Sequence, residues 1–299
     1  MTQPAGWVVC VTHPCPAAIR RDASAPSSPG RLALAAVLLL LPLSAFVQLP
    51  GEIRAKQALG LVAADCDVFD AGKGGWRREA PIPTLRDGPS SATWKINHVH
   101  LAAADGVLFV LGGMLEGLRD GQATGESWKF DPAVGWWEAI EPLPTVRGEG
   151  GVAVVDGRIH VLGGRSGRAT LDTVESYDPG TDRWRRHEPM PTRRNHLGVT
   201  VHDGRVYALA GRQEDDVSLR VLERYDPGAD GWTSLPDMPD IKAGFAFVTT
   251  PSGLVALGGE NLAKFDLYGS ILRYVPERRT WERLRGLAHP RHGFGAAYA

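Results

Sequence analysis

The chain has 299 residues, enough for one large domain or two small ones, and 43% of them are hydrophobic, which excludes a mostly disordered chain. Its 33 Lys and Arg residues face 34 Asp and Glu residues, so the net charge is −1 and the dominant basic field of a nucleic-acid-binding protein is lacking. Glycine (36 residues) and proline (22 residues) are abundant without a collagen-like period, which predicts a fold rich in turns.

The N-terminal part contains a long apolar run. We predict a disordered leader at residues 1–31 and a linker at residues 50–65. Residues 32–49 between them carry no charged side chain, and this length is at the lower edge of what a membrane-spanning helix needs. We interpret the run as an uncleaved anchor; a cleaved signal segment and a buried helix are the alternatives. Three arginines before it and two basic residues after it favour an N-terminus inside, which leaves the remainder membrane-anchored outside the cytoplasm, or secreted.

The rest of the chain is built from a sequence repeat with a period of 47 to 49 residues. A tryptophan recurs, and an aromatic residue stands seven positions before it, giving the pairs Phe69–Trp76, Phe130–Trp137, Tyr177–Trp184, Tyr225–Trp232 and Tyr274–Trp281. Upstream of four of these pairs, an apolar segment ends in a pair of small residues whose second member is Gly113, Gly164, Gly211 or Gly259. Self-similarity at such a period is typical of a repeat architecture.

Each repeat predicts four short antiparallel strands. In residues 148–191, GEGGVAVV gives the first strand, and the following Asp-Gly gives a tight hairpin turn, because glycine accepts positive φ. RIHVLGG alternates apolar residues as a second strand does. TVESYDP and RWRRHEP supply the third and fourth strands, separated by an Asp-Pro-Gly turn.

The glycine pair, the aromatic residue and the tryptophan together resemble the Kelch repeat of β-propellers, whose period is near 50 residues. The resemblance covers residues 66–299 and implies an all-β Kelch-type β-propeller with four complete four-stranded blades between about residues 97 and 291. One repeat departs from the pattern, since Ala210 replaces the first glycine. Residues 66–83 match the last two strands of a unit and residues 292–299 the first strand of another. We expect either a split or incomplete fifth blade or a chain truncated at its C-terminus.

Four basic residues share one register at the start of the innermost strands, and in a propeller they would encircle one mouth of the central channel. They are Arg147, Arg194, Lys242 and Arg291. One interpretation is that they brace neighbouring blades, as arginine commonly does at this place in Kelch repeats. The other is a ligand-binding ring for an anion, because guanidinium groups suit carboxylate and phosphate.

Two positions further along, three consecutive repeats carry His98, Glu149 and His196. Two imidazoles and a carboxylate could hold a metal or transfer protons. Polar residues on inner strands more often bind channel water, so we predict ligand contacts here and neither a metal nor another cofactor. The variable loops after the glycine pairs add candidate surface contacts at Arg165, Arg168, Arg212, Glu214 and Glu260.

We therefore expect a non-catalytic binding module that recognises a protein or a small anionic ligand through the loops of one propeller face. The resemblance leaves two enzyme classes open. A sialic-acid mutarotase-like enzyme would use Arg147, Arg194 and Glu149. A galactose-oxidase-like copper enzyme is the weaker alternative, because its centre needs two Tyr, two His and a Cys–Tyr crosslink, whereas Cys66 has no tyrosine near it in the sequence.

Overall fold

The structure is a computed structural model of the 299-residue chain. The residues that it describes are 5–8, 47–50, 66–70, 75–79, 82, 96–115 and 122–298. The predicted leader, apolar segment and linker lie outside this set, apart from two short strands, Ala5–Val8 and Val47–Pro50, which pair antiparallel with each other. In the part of the chain that is described, no helix is long and apolar enough to cross a membrane.

Four antiparallel sheets follow one another along residues 96–284, and each is one blade. Blade I consists of Ile96–Asn97, His100–Ala104, Val107–Leu115, Ala123–Asp131 and Trp136–Ile140. Blade II consists of Gly151–Val155, Arg158–Leu162, Val174–Asp178 and Arg183–Arg186. Blade III consists of Gly198–His202, Arg205–Leu209, Leu222–Asp226 and Gly231–Leu235. Blade IV consists of Ala246–Thr250, Gly253–Leu257, Ile271–Val275 and Thr280–Leu284.

Minor elements decorate the loops between the second and third strands. Blades II and IV each carry a two-residue ladder there, Arg165–Ser166 with Ala169–Thr170 and Glu260–Asn261 with Asp266–Leu267. The helical elements of the described residues are two short 3₁₀ turns, Glu214–Asp216 and Leu262–Lys264. In blade I, Ile96–Asn97 and His100–Ala104 both pair with Val107–Leu115 and together form one interrupted inner strand. The prediction of an all-β chain with four four-stranded blades is therefore confirmed.

Pieces of a further blade flank these four. Cys66–Asp70 pairs with Gly75–Glu79, and the register sets Phe69 opposite Trp76. The same aromatic–tryptophan pairing occurs in each complete blade, for example between Tyr177 and Trp184. At the other end of the chain, residues 294–298 line the central channel together with the inner strands of blades I–IV. The C-terminal segment thus lies where a further inner strand is expected, and the N-terminal hairpin has the pairing expected of the last two strands of a blade.

The turns explain the strand boundaries. In blades I, II and III the Asp-Gly turns place both residues at positive φ, as at Asp156 (φ 49°) and Gly157 (φ 72°), which is the geometry of a two-residue hairpin matched to strand twist. The first glycine of each pair is also left-handed, as at Gly163 (φ 59°). A Cβ at Gly163 would lie 2.5 Å from the carbonyl oxygen of Arg194, so the glycine allows the next blade to approach closely.

The hydrophobic core lies between adjacent blades. Phe109 of blade I packs with Ile159 and Tyr177 of blade II, and equivalent clusters join blade II to III and blade III to IV. The repeat tryptophans of blades II, III and IV each add a polar contact to the preceding blade: Trp184 Nε1 donates to Glu141 O at 2.8 Å. Trp232 and Trp281 do the same to Glu188 O and Pro236 O. The tryptophans are therefore structural, as their repeat spacing predicts.

Candidate functional site

The basic residues of the first predicted site are buried within blades. Arg147 and Arg194 are fully buried, and each faces a carboxylate on the third strand of its own blade. Arg147 Nη1 lies 2.5 Å from Glu175 Oε2, and Arg194 Nη1 lies 2.7 Å from Glu223 Oε2. Burial lowers the pKa of both guanidinium groups, and the carboxylates counteract it. These contacts are those of a brace and leave neither guanidinium open to a ligand.

The other two residues of that register have separate surroundings. Lys242 Nζ donates to Ser270 Oγ at 2.9 Å and lies 3.6 Å from Asp240 Oδ2, and burial lowers its pKa to about 8. Arg291 is partly exposed, and its Nε donates to His289 O at 3.1 Å. Of the two interpretations of this register, the structure favours internal braces over an anion-binding ring, because the side chains of Arg147, Arg194 and Lys242 turn into the blades.

A ring of backbone hydrogen bonds joins the blades two positions further along. Its members are His98, Glu149, His196, Gly244 and Gly293, all with φ between 49° and 62°. The amide of each residue donates to the carbonyl oxygen of the previous one, over 3.1, 2.7, 3.1 and 2.8 Å in chain order. A left-handed residue at this point turns the chain from the loop into the inner strand. The repeat thus places one side chain per blade at the same level.

Three of those side chains meet at the channel mouth. One nitrogen of His98, one nitrogen of His196 and one carboxylate oxygen of Glu149 lie within 4.8 Å of one another. The two imidazole rings have centroids 5.4 Å apart, and His196 Nδ1 is 3.5 Å from Glu149 Oε2. Glu149 and His196 are buried, and His98 is partly buried. The structure brings these three residues together at one level, as the repeat register predicted.

A second layer of charged residues covers this cluster from the loops. Arg165 forms a bidentate pair with Glu149, with Nε–Oε2 and Nη2–Oε1 distances of 2.7 and 2.6 Å. Arg212 Nη2 lies 3.1 Å from His196 Nε2, and its Nη1 donates to Glu260 Oε1, also at 3.1 Å. Arg165, Arg212 and Glu260 each directly follow a glycine pair, which is the sequence signal for this layer. Sequence reasoning assigned them to solvent-facing loops and missed their pairing with the inner strands.

The electrostatics of this layer follow from burial and pairing. Burial, then the positive charge of Arg212, holds the pKa of His196 well below 6.5. The hydrogen bonds to Glu149 raise the pKa of Arg165 despite partial burial. His292 of the C-terminal segment has a raised pKa, because its Nδ1 lies 2.9 Å from Glu260 Oε2. The site therefore combines one neutral imidazole with a row of paired charges.

Two cavities meet at Glu149. The central channel, about 490 Å³, is lined mainly by small and apolar residues of the inner strands. A second cavity of about 760 Å³ lies between the loops of blades II, III and IV. Its polar lining includes Glu149, Arg165, Arg168, Arg212, Glu214 and Asp216. Glu149 thus separates the apolar channel from a charged pocket open to the loops.

The charged pocket lies on one face of the propeller, here called the loop face. Because the strands of a blade are antiparallel, the loops after the second and fourth strands share this face. Seven large hydrophobic side chains are exposed among the residues described, and five of them lie on loop-face segments: Val146, Val217, Ile241, Phe265 and Leu267. The other two, Val134 and Trp136, lie at the opposite end of blade I. Exposed apolar surface is thus concentrated on the face that carries the charged pocket.

Comparison with known proteins finds similarity to Kelch repeats and to a solved propeller structure. A family model for the Kelch motif matches residues 147–191 and 193–239. The Kelch-like protein terF of Aspergillus terreus is 34% identical over 95 residues, which are 30% of this chain but only 18% of terF. The solved structure of YjhT has a TM-score of 0.66 at 16% identity, covering 79% of this chain and 81% of that one, a likeness of fold. Residues 147–191 and 193–239 thus carry Kelch motifs, as the sequence pattern predicted, and the fold is similar to that of YjhT.

Proposed function

We propose that the chain is a binding module whose ligand, a protein or a small anionic molecule, docks on the loop face. The observation that carries this proposal is the concentration of exposed apolar side chains on the face that carries the charged pocket. Phe265 is 92% exposed at the tip of the blade IV hairpin, and Leu267 follows it. Apolar side chains gathered on one face favour a partner that removes them from water. Loops on a rigid scaffold are also where recognition residues commonly lie.

Arg168 places a guanidinium group in the lining of the pocket. It is exposed and lies on the hairpin loop of blade II. Because guanidinium groups bind carboxylates in fork geometry, a ligand carboxylate is the chemistry that this side chain fits.

The anion arm of the proposal is tested by titrating a panel of anionic sugars and acidic peptides. Arg168→Ala should weaken binding by about 10- to 100-fold, the equivalent of ~1.5–3 kcal/mol for a charge-assisted hydrogen bond. Affinity of the unaltered protein should fall as salt is added. Arg158→Ala is the matched control, because Arg158 is half exposed at the opposite face. Equal affinities for the two variants would remove Arg168 from the site.

Recognition of a protein partner is tested with two variants, each of which removes one exposed apolar side chain. Phe265→Ser should abolish crosslinking of a partner captured by the unaltered chain, since it removes the most exposed apolar side chain of the loop face. Trp136→Ser, which alters a 65% exposed side chain at the other end of blade I, should leave the crosslink intact. Loss of the crosslink in both variants, or in neither, would contradict recognition by the loop face.

We further propose that the propeller is held outside the cytoplasm, anchored through residues 32–49 or secreted. The support is the uncharged apolar run, with slightly more arginine before it than basic residues after it. After expression in a bacterial host, the full chain should fractionate with membranes, and an external thiol reagent should label Cys66. A full-length product that is soluble in the cytoplasm would contradict both the anchor and the signal.

A propeller enzyme acting on sugars is the second candidate. The observation that favours it is the pairing of Glu149 and His196, 3.5 Å apart beside Arg165, which combines groups for proton transfer with an anion-binding group. Interconversion of sialic acid anomers, followed by NMR, tests it. Turnover that disappears in Glu149→Gln would support the enzyme, and lack of turnover by the unaltered protein would exclude this activity.

A further inference from the structure

The positions of His98, Glu149 and His196 are fixed by the backbone rather than by their own side chains. Glu149 N donates to His98 O, and His196 N donates to Glu149 O, so three adjacent blades are tied at this level. All three residues have the same left-handed backbone conformation. A substitution of one side chain therefore leaves the spacing of the other two in place. Such prior organisation is what a binding site for a small ion requires.

The hydrogen bonds around His196 define which of its nitrogens carries the proton. Asn195 Nδ2 donates to Thr170 Oγ1 at 3.0 Å, so Asn195 Oδ1 faces His196 Nδ1 at 2.7 Å as an acceptor. His196 Nδ1 is therefore the donor, and the lone pair of Nε2 accepts from Arg212 Nη2. His98 Nδ1 contacts Asn97 Oδ1 in the same way, at 2.8 Å. Metal-bound histidines are commonly oriented by this kind of contact through the ring nitrogen that does not bind the ion.

The carboxylate of Glu149 and the ring nitrogen Nε2 of His196 already contact arginine side chains. Arg165 covers both oxygens of Glu149, and Arg212 Nη2 lies against His196 Nε2. Arg212 has a second partner, an ion pair with Glu260, and the Arg165 side chain is 34% exposed and can turn to water. Both can therefore give way to another cation without leaving a buried charge unpaired.

We propose that His98, Glu149 and His196 bind one divalent first-row transition-metal ion, of the zinc or iron(II) kind, at the channel mouth. Two imidazoles and one carboxylate are the ligand set that such ions prefer, and magnesium or calcium would prefer oxygen ligands alone. A tetrahedral ion at about 2.1 Å from each ligand needs ligand atoms about 3.4 Å apart. The ligand atoms now lie within 4.8 Å of one another, so binding requires the three side chains to rotate closer together.

The local charge is compatible with a cation. Arg165 and Arg212 contribute two positive charges, whereas Glu149, Glu260 and Asp216 contribute three negative ones, a sum of −1. Because Glu149 lines both cavities, an ion can reach the cluster from the charged pocket. This site departs from our sequence-based expectation of no metal, and it is independent of whether a partner docks on the loop face.

Cobalt(II) titration of the purified full chain tests the site, because tetrahedral or five-coordinate cobalt absorbs visible light. One equivalent should bind and be displaced by zinc but not by magnesium. His98→Gln and His196→Gln should each weaken binding by more than ~100-fold, since loss of an outer contact alone costs ~10–100-fold. The control is His202→Gln, which alters a histidine at the other end of the blade III inner strand. It should bind as the unaltered chain does.

Arg165→Gln separates this site from an anion site. Removing the guanidinium frees Glu149, so cobalt should bind more tightly, whereas an anion would bind more weakly. Thermal melting of each variant identifies any that fails to fold. If one histidine variant fails to fold, cobalt binding by the other histidine variant tests the proposal. Absence of one-to-one cobalt binding, unchanged binding in a folded histidine variant, or weaker binding in Arg165→Gln would each overturn the proposal. Loss of partner binding in Phe265→Ser has no bearing on it.

Discussion

Single residues of this propeller are constrained by backbone conformation as much as by chemistry. The first glycine of the pair is left-handed in every complete blade that has one, and in blade III Ala210 takes up the same conformation with φ 50°. Ala210 shows that a methyl group can be fitted between blades III and IV. The corresponding Gly163 has no such space, because a Cβ there would lie 2.5 Å from Arg194 O and 2.7 Å from Met190 Cε.

Gly163→Ala should therefore destabilise the protein more than Gly157→Ala. Both glycines have positive φ, a conformation that costs an L-residue ~1–2 kcal/mol. Nothing lies within 4 Å of a Cβ at Gly157, so that variant should lose only this amount. Gly163→Ala should lose at least ~1 kcal/mol more, because overpacking costs ~1–3 kcal/mol. Urea unfolding of the two variants measures the difference, and equal losses would show that the blades move apart freely.

At the scale of the blade, the sequence predicted the strands well and the direction of side chains poorly. The glycine pair, the Asp-Gly turn and the tryptophan act locally, so four blades followed from the repeat alone. Register also predicted that His98, Glu149 and His196 share one level. The repeat register does not determine whether a side chain at the start of an inner strand points into the channel or into its own blade. Arg147 turns inward, because Glu175 on the third strand offers a buried carboxylate, and no local pattern records that pairing.

The inward turn makes the brace of blade III a testable structural element. Arg194→Met leaves the buried Glu223 without its cation, which should cost ~3–5 kcal/mol of unfolding free energy. The double variant with Glu223→Leu should recover much of that loss, because an apolar pair replaces both charges. Arg158→Ala removes a partly exposed ion pair with Asp178 and should cost under ~1 kcal/mol. Chemical denaturation measures all three, and additive losses in the double variant would exclude the brace.

At the scale of the whole molecule, stability depends on the interfaces between blades, and two of these contain buried histidines. His100 is fully buried, and its Nδ1 donates to Leu111 O, 3.0 Å away; burial lowers its pKa to about 3. His160 packs beside His187 and Tyr225 between blades II and III, and burial lowers its pKa to about 4. Both imidazoles are neutral in the folded state near pH 7. The unfolded chain protonates them at about pH 6.5, so acid favours unfolding.

His160→Phe should remove part of this acid sensitivity. Phe109 and Tyr207 hold the same place in blades I and III, so an aromatic ring without charge fits the slot. Above pH 6.5 the histidine is neutral in both states and adds no pH dependence. As the pH falls from 6.5 to about 4, the unfolded state gains its proton first, and the unaltered protein should lose on the order of 3 kcal/mol more than the variant. Urea unfolding at a series of pH values measures the gap between the two stability curves. Curves that stay parallel from pH 7 to pH 4 would show that His160 is protonated as readily in the folded protein as in the unfolded chain.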